Sequence, residues 1–335
     1  MFLNIQNGKI HTKRLEVNVV HHCNLSCRGC SHLSPLMPKF FISPDRLSHD
    51  LSILSKYYRP ELISLLGGEP LLHPDLIEII NIVRSSGISD KIRVVTNGRL
   101  LHKMPDQFWK DVDEVHVSLY PRHPMKVKDL AVFKAHAKRS KTLLDLRYQD
   151  QFRECFSEIS AMDEAMTRRI YLTCSNSRQD GCHTLFEGHY YKCAQAVFIP
   201  LAFGDRFNFN NIQDGVKIKD SKTFVEELTQ YLATEEPLTA CRFCLGSVGK
   251  RFVHDQISRH GEDPSVSIEN LIDWKHLEKL EKKSGMPIPV WMRESVHKMF
   301  GLMPTSVLLS PTLRRSIKVL RDIARKHIKD KGVFT

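Results

Sequence analysis

The sequence of 335 residues has no unbroken apolar run of about 18 residues, the length a membrane-spanning helix needs. A helical span is thereby excluded. The opening residues, MFLNIQNGKIHTKR, lack the continuous apolar stretch of a secretory signal, and the two absences predict a cytoplasmic protein. There is no internal repeat and no long low-complexity linker. Acidic residues run short in the tail. From Lys275 to Thr335 stand 14 Lys and Arg against 5 Asp and Glu, so the net charge of +11 belongs mainly to a tail and says little about an active site.

Cysteine is plentiful instead. Nine cysteines in a reducing cytosol argue against a disulfide framework and for metal or redox chemistry. Cys23, Cys27 and Cys30 form one group; Cys155, Cys174, Cys182 and Cys193 follow, then Cys241 and Cys244. Clusters so far apart predict two metal sites. The length predicts one large domain with appendages.

Short apolar runs at Leu15–His21, Leu62–Leu66, Ile92–Val95, Val115–Leu119 and Leu143–Leu146 have strand length. Helical patterns lie between them. Ser43-Pro44 is an N-cap and first-turn pair ahead of Leu47, Leu51, Leu54 and Tyr58 on one face. His73-Pro74-Asp75 opens a second helix carrying Leu76, Ile79, Ile80 and Val83, ended near Gly87. This alternation predicts an α/β fold with parallel strands, as an open sheet or a barrel. Residues 174–250 show little periodicity and read as a small metal-stapled unit. From about Ser265 the pattern is helical and basic, with Ser310-Pro311 capping a last helix.

The segment His22-Cys23-Asn24-Leu25-Ser26-Cys27-Arg28-Gly29-Cys30 is a CxxxCxxC motif directly after the first apolar run. Three thiolates can hold a [4Fe–4S] cluster that normally takes four, leaving one iron open to a ligand. A zinc knuckle with His32 as fourth ligand is the competing reading, since thiolates suit both metals. Ser64-Leu65-Leu66-Gly67-Gly68-Glu69-Pro70 ends the second run, Thr96-Asn97-Gly98 the third and Ser118-Leu119-Tyr120 the fourth. Polar residues thus collect where α/β proteins place their ligands.

Together, CxxxCxxC and GGEP resemble the radical S-adenosylmethionine (SAM) superfamily. The resemblance implies a partial (β/α)6 TIM-type barrel over roughly residues 1–170, cluster ligation by Cys23, Cys27 and Cys30, and a Gly67, Gly68, Glu69, Pro70 backbone edge for the SAM amino group. Asn97 and Ser118 are further cofactor-binding candidates, and Arg147 and Ser118 look like ribose or carboxylate contacts. The residue before the third cysteine is usually aromatic in such enzymes. Here it is Gly29, so an adenine contact has to come from elsewhere or be absent. His22, His32, Tyr120 and Arg147 are equal candidates for a general base.

Cys174, Gly188 and Cys193 have the spacing C-x13-G-x4-C, followed by Cys241-Arg242-Phe243-Cys244. This resembles the twitch half of the SPASM/twitch auxiliary domain, which implies a second iron–sulfur cluster on Cys174, Cys193, Cys241 and Cys244 in a domain spanning 171–260. A zinc ribbon competes, and Cys182 can replace Cys174 as ligand. Cys155 reads as a small buried hydrophobe. Cys182 is also a candidate hydrogen donor to a substrate radical, as an epimerase needs. Residues 261–335 remain as a basic helical extension.

The resemblance implies reductive cleavage of SAM to a 5′-deoxyadenosyl radical. That radical takes hydrogen from a small, carbohydrate-like substrate, leading to dehydrogenation or epimerisation. A flavodoxin- or ferredoxin-type protein donates the electron. The alternatives are a peptide-modifying enzyme of the SPASM/twitch type, disfavoured because only 22 residues precede the first motif cysteine, and a zinc-stabilised binding module using its basic tail on nucleic acid or a membrane surface. A tail helix packed on the barrel is preferred to nucleic-acid binding, with peripheral membrane contact left open.

Overall fold

The computed structural model describes residues 4–157, 161–207, 209, 211–257 and 267–284. The expected helix after Ser310-Pro311 lies outside the described residues, so the tail's contacts stay an expectation. Among the described residues no helix is long and apolar enough to cross a membrane.

All five expected runs are strands of one sheet: β1 Leu15–Val20, β2 Ile63–Gly67, β3 Ile92–Thr96, β4 Glu114–Leu119 and β5 Leu143–Tyr148. They pair in parallel, neighbour to neighbour. The crossovers carry α1 Pro44–Tyr57, α2 Leu76–Ser85, α3 Asp106–Asp111 and α4 Val127–Ser140. Ser43 caps α1 by accepting from the Arg46 amide at 3.4 Å. Leu47, Leu51 and Leu54 are buried along α1, as Leu76, Ile79, Ile80 and Val83 are along α2. Each such Leu or Ile contributes about 1.5–3 kcal/mol by leaving water. Tyr58 is not on the α1 face. Its backbone is extended (φ −140°, ψ 140°) and ends the helix, while its ring is still buried.

Three more strands join this sheet from the segment expected to be aperiodic: β6 His183–Phe186, β7 His189–Tyr191 and β8 Gly215–Lys217. The order is β8-β7-β6-β1-β2-β3-β4-β5. β6 runs parallel to β1, and β7 and β8 are antiparallel additions. Glu187 (φ 43°) and Gly188 (φ 73°) turn the β6–β7 hairpin, both left-handed as a two-residue hairpin loop requires. The result, among the described residues, is an open α/β sheet of partial TIM-barrel type with six parallel strands and no closure. A separate antiparallel pair, Gln151–Arg153 with Arg251–Val253, returns the chain to the start of the fold.

Strand alternation gives the sheet two unlike faces. Val17, Val19, Leu65, Val94, Val115 and Val117 pack with the helices in the main core. Glu16, Asn18, Ser64, Arg93, Glu114, His116, Ser118, Asp145 and Arg147 occupy the alternate positions.

Candidate active site

The cysteine loop begins at the C-terminal end of β1, and the GGEP turn closes against it. The Gly68 amide donates to Val20 O at 2.7 Å and the Glu69 amide to His22 O at 3.1 Å. A Cβ at Gly67 (φ 134°) would overlap the Val20 carbonyl, and one at Gly68 the His22 carbonyl. The two glycines therefore serve the protein's own backbone approach first. Glu69 is fully buried and points into the fold. It accepts from Thr96 Oγ1 at 2.6 Å, the Asn97 amide at 2.8 Å and the Leu71 amide at 3.1 Å. It thus clamps the end of β3 to that of β2. Burial raises its pKa to about 7 against those three donors. Pro70 opens the short turn Pro70–Leu72 that Glu69 caps.

Asn97 reaches back to the loop, with Nδ2 2.7 Å from Asn24 Oδ1 and 3.7 Å from Cys23 Sγ. The Leu25 amide lies 3.4 Å from the same sulfur. Cys27 has closer neighbours from far along the chain: Gln256 Nε2, which donates at 3.1 Å, and His254 Nε2 at 3.2 Å. Burial pushes the Cys23 and Cys27 thiols up to about 12. A bound metal reverses that preference, because a coordinating thiol is deprotonated. N–H groups aimed at sulfur suit a thiolate, and three thiols on one short loop suit a cluster with an open iron. The donor set therefore fits an iron–sulfur group.

Ser118, opposite Arg147 in the β4–β5 register, shares a cleft of about 260 Å³ with Asn97, Arg99, His123 and Lys126. Arg147 itself is exposed and bound to Asp145 at 2.9 Å. Of the base candidates, Tyr120 stacks on His254 with centroids 4.7 Å apart, next to the cysteine loop. His22 packs edge-on against Phe41, and His32 against Phe198.

Cys174, Cys193, Cys241 and Cys244 come together around a second pocket, walled by Ile170, Tyr171, Leu238 and Ala240. Cys174 caps α5 Glu164–Thr173, and Cys193 precedes α6 Gln195–Phe207. Cys241 and Cys244 stand on a short turn pinned by Asp214, whose carboxylate accepts from the Thr239 and Ala240 amides at 2.6 and 2.8 Å. Burial raises all four thiols, Cys244 to about 12, and neighbouring sulfurs add to the rise at Cys193, Cys241 and Cys244. Among the described residues no three His, Cys, Asp or Glu side chains converge on a single-ion position.

Cys182 is not brought to either site. It precedes β6, whose His183 is level with Leu15, and lies 3.6 Å from Arg14 Nη1 at the start of β1. The cysteine loop is at the other end of that strand, roughly 20 Å away at about 3.3 Å per residue. Such a separation is too great for hydrogen donation to a substrate beside the loop. Cys155 is only half buried and sits between the sites, 3.3 Å from Gly29 O. His254 and Gln256 carry no motif, and only the returning strand reveals them.

Residues 17–123 match the model of the Radical SAM superfamily. The chain carries a radical SAM superfamily domain. Curated relatives of this radical SAM domain include a protein of Metallosphaera sedula named "Probable GTP 3',8-cyclase", 34% identical over 123 residues, which are 35% of this chain and 37% of that protein. The GTP 3',8-cyclase of Microcystis aeruginosa is 25% identical over 113 residues, 31% of this chain and 33% of that one. The chain thus spans about a third of the length of these relatives. Among solved structures, BtrN in complex with AdoMet and 2-DOIA aligns with a TM-score of 0.39 at 15% identity, over 59% of this chain and 84% of that one.

Proposed function

We propose that this radical SAM protein is a two-cluster enzyme that dehydrogenates a small, polar, carbohydrate-like molecule. Cys23, Cys27 and Cys30 hold a SAM-binding [4Fe–4S] cluster, and Cys174, Cys193, Cys241 and Cys244 hold an auxiliary cluster in a twitch-like unit. The observation that carries the reading is the gathering of those four distant thiols around one buried pocket, separate from the three-thiol loop. When bound, the two clusters and SAM would supply one-electron chemistry: SAM at the first cluster would take a hydrogen atom from a substrate carbon, and the second cluster would accept the remaining electron as a proton leaves to solvent.

The chain's own residues shape the site. Asn97, Ser118 and the GGEP edge flank the SAM position, and Glu69 fixes the edge. The polar face of the sheet supports a hydrogen-bonding substrate, because Asn18 Oδ1 and Ser64 Oγ are buried on it with no partner among the described residues. Oxidation is favoured over epimerisation by the place of Cys182, at the far end of β1. An external flavodoxin- or ferredoxin-type protein supplies the electron.

The test is anaerobic formation of 5′-deoxyadenosine from SAM with a chemical reductant. Cys23, Cys27 and Cys30→Ala together should abolish it, whereas Cys182→Ser should stay within about twofold of wild type. Cleavage that survives the triple substitution contradicts the SAM-cluster assignment. Loss in Cys182→Ser contradicts the placing of Cys182 away from the site of SAM cleavage.

A further inference from the structure

The segment Arg251–Ile257 lies along the cysteine loop as an added strand. The Arg28 amide donates to Asp255 O at 3.0 Å and the Ile257 amide to Ser26 O at 2.8 Å, on either side of a bridge between Cys27 and Gln256. Phe252 fills the space beside Gly29, where an added Cβ would stand 2.6 Å from its ring, and the Arg28 guanidinium lies 4.4 Å above that ring. This backbone pairing holds the strap without help from the Gln256 side chain.

Two side chains of the strap end on one sulfur. The Gln256 amide is oriented by its oxygen, which accepts from the Ser26 amide at 2.7 Å. Only oxygen can meet that N–H, so Nε2 faces Cys27 Sγ. His254 is fully buried, its ring held between Tyr120 and Phe152. Its Nε2 lies 3.3 Å from Gln256 Nε2 and accepts the second N–H of that amide, which keeps the Gln256 group turned toward Cys27.

We propose that Gln256, oriented by the Ser26 amide and His254, sets the reduction potential of the cluster on the cysteine loop by donating a hydrogen bond to Cys27 Sγ. This rests on the reading that Cys23, Cys27 and Cys30 hold a [4Fe–4S] cluster. A reduced cluster carries one more negative charge than an oxidised one, and burial penalises that charge. N–H donors on a ligand sulfur offset the penalty and draw the potential upward. The site is asymmetric, with the closest side-chain donor on Cys27. Gln256 and His254 are positioning residues for electron entry, one electron per reduction, delivered by the external donor.

The test compares wild type with Gln256→Leu and Gln256→Glu, reconstituted anaerobically and assayed for iron and sulfide. Each is then titrated through mediators at an electrode, following by electron paramagnetic resonance the reduced signal that SAM perturbs. Gln256→Leu should lower the reduced-to-oxidised ratio at fixed potential about tenfold, which for one electron is about 59 mV. Gln256→Glu keeps the acceptor for the Ser26 amide but loses the donor, and should fall at least as far. Unchanged potentials in both variants, with full iron and sulfide, overturn the proposal. A wild-type protein that takes up no iron and sulfide sinks the cluster reading itself, so the two failures are distinguishable.

Discussion

The two cysteine sites are built in opposite ways. The first takes three sulfurs from eight consecutive residues at the C-terminal edge of a parallel sheet. The second takes four from an interval of 71 residues, on a helix end, a strand exit and a turn. A ligand set on one loop leaves room for a further ligand and closes little chain. A set drawn from distant segments encloses its metal and staples the fold. The first arrangement suits chemistry, the second structure and electron storage.

Stability divides the sites most sharply. Cys241 and Cys244→Ala together should cost the reconstituted protein several kcal/mol, because binding of the proposed auxiliary cluster would add to folding free energy and tie long loops. The triple substitution of Cys23, Cys27 and Cys30 should cost clearly less, as the loop they close is short. Anaerobic urea unfolding of both variants measures the difference. Equal losses would erase the distinction between open and stapled sites.

A smaller effect is expected at Glu69, which holds the frame of the first site without being a ligand. Glu69→Ala leaves three buried donors unpaired and should cost about 2–3 kcal/mol. Its pH signature has a definite sign. The folded-state pKa is raised from the ordinary 4.5 to about 7 by burial, so between these values the folded protein keeps a proton that the unfolded chain has released. Stability from this group is complete below about pH 4.5 and is lost as pH rises through about 7. Glu69→Gln should flatten that decline in urea titrations at pH 5 and 7.5. An unaltered slope would contradict the burial argument.

The three-cysteine loop and the sheet behind it were legible because the cysteines fall within eight residues and the strands are long enough to show their period. β1 to β5, α1 and α2 fall where the apolar runs and caps place them. Tyr58 kept the spacing of the α1 face yet left the helix, since its burial is equally served from an extended backbone. β6, β7 and β8 were hidden: each has three or four residues, and all four residues of β6 are buried, so no alternation shows. That gap also hid how far Cys182 stands from the cysteine loop, a distance that follows only from the pairing of β6 with β1. His254 and Gln256 lie more than 220 residues from the sulfur they approach, a distance no local pattern bridges. Gly29 was the nearest signal. A missing side chain beside the third cysteine marks space that another segment, here carrying Phe252, comes to fill.

The central claim is that the chain holds two iron–sulfur sites of different construction. Counting iron and acid-labile sulfide per chain after anaerobic reconstitution tests it most directly. Two [4Fe–4S] clusters predict about eight irons in the wild type, and about four both in the triple Cys23, Cys27 and Cys30→Ala variant and in the double Cys241 and Cys244→Ala variant. Zinc in place of iron, or about four irons in the wild type falling to none in the triple variant, would contradict it.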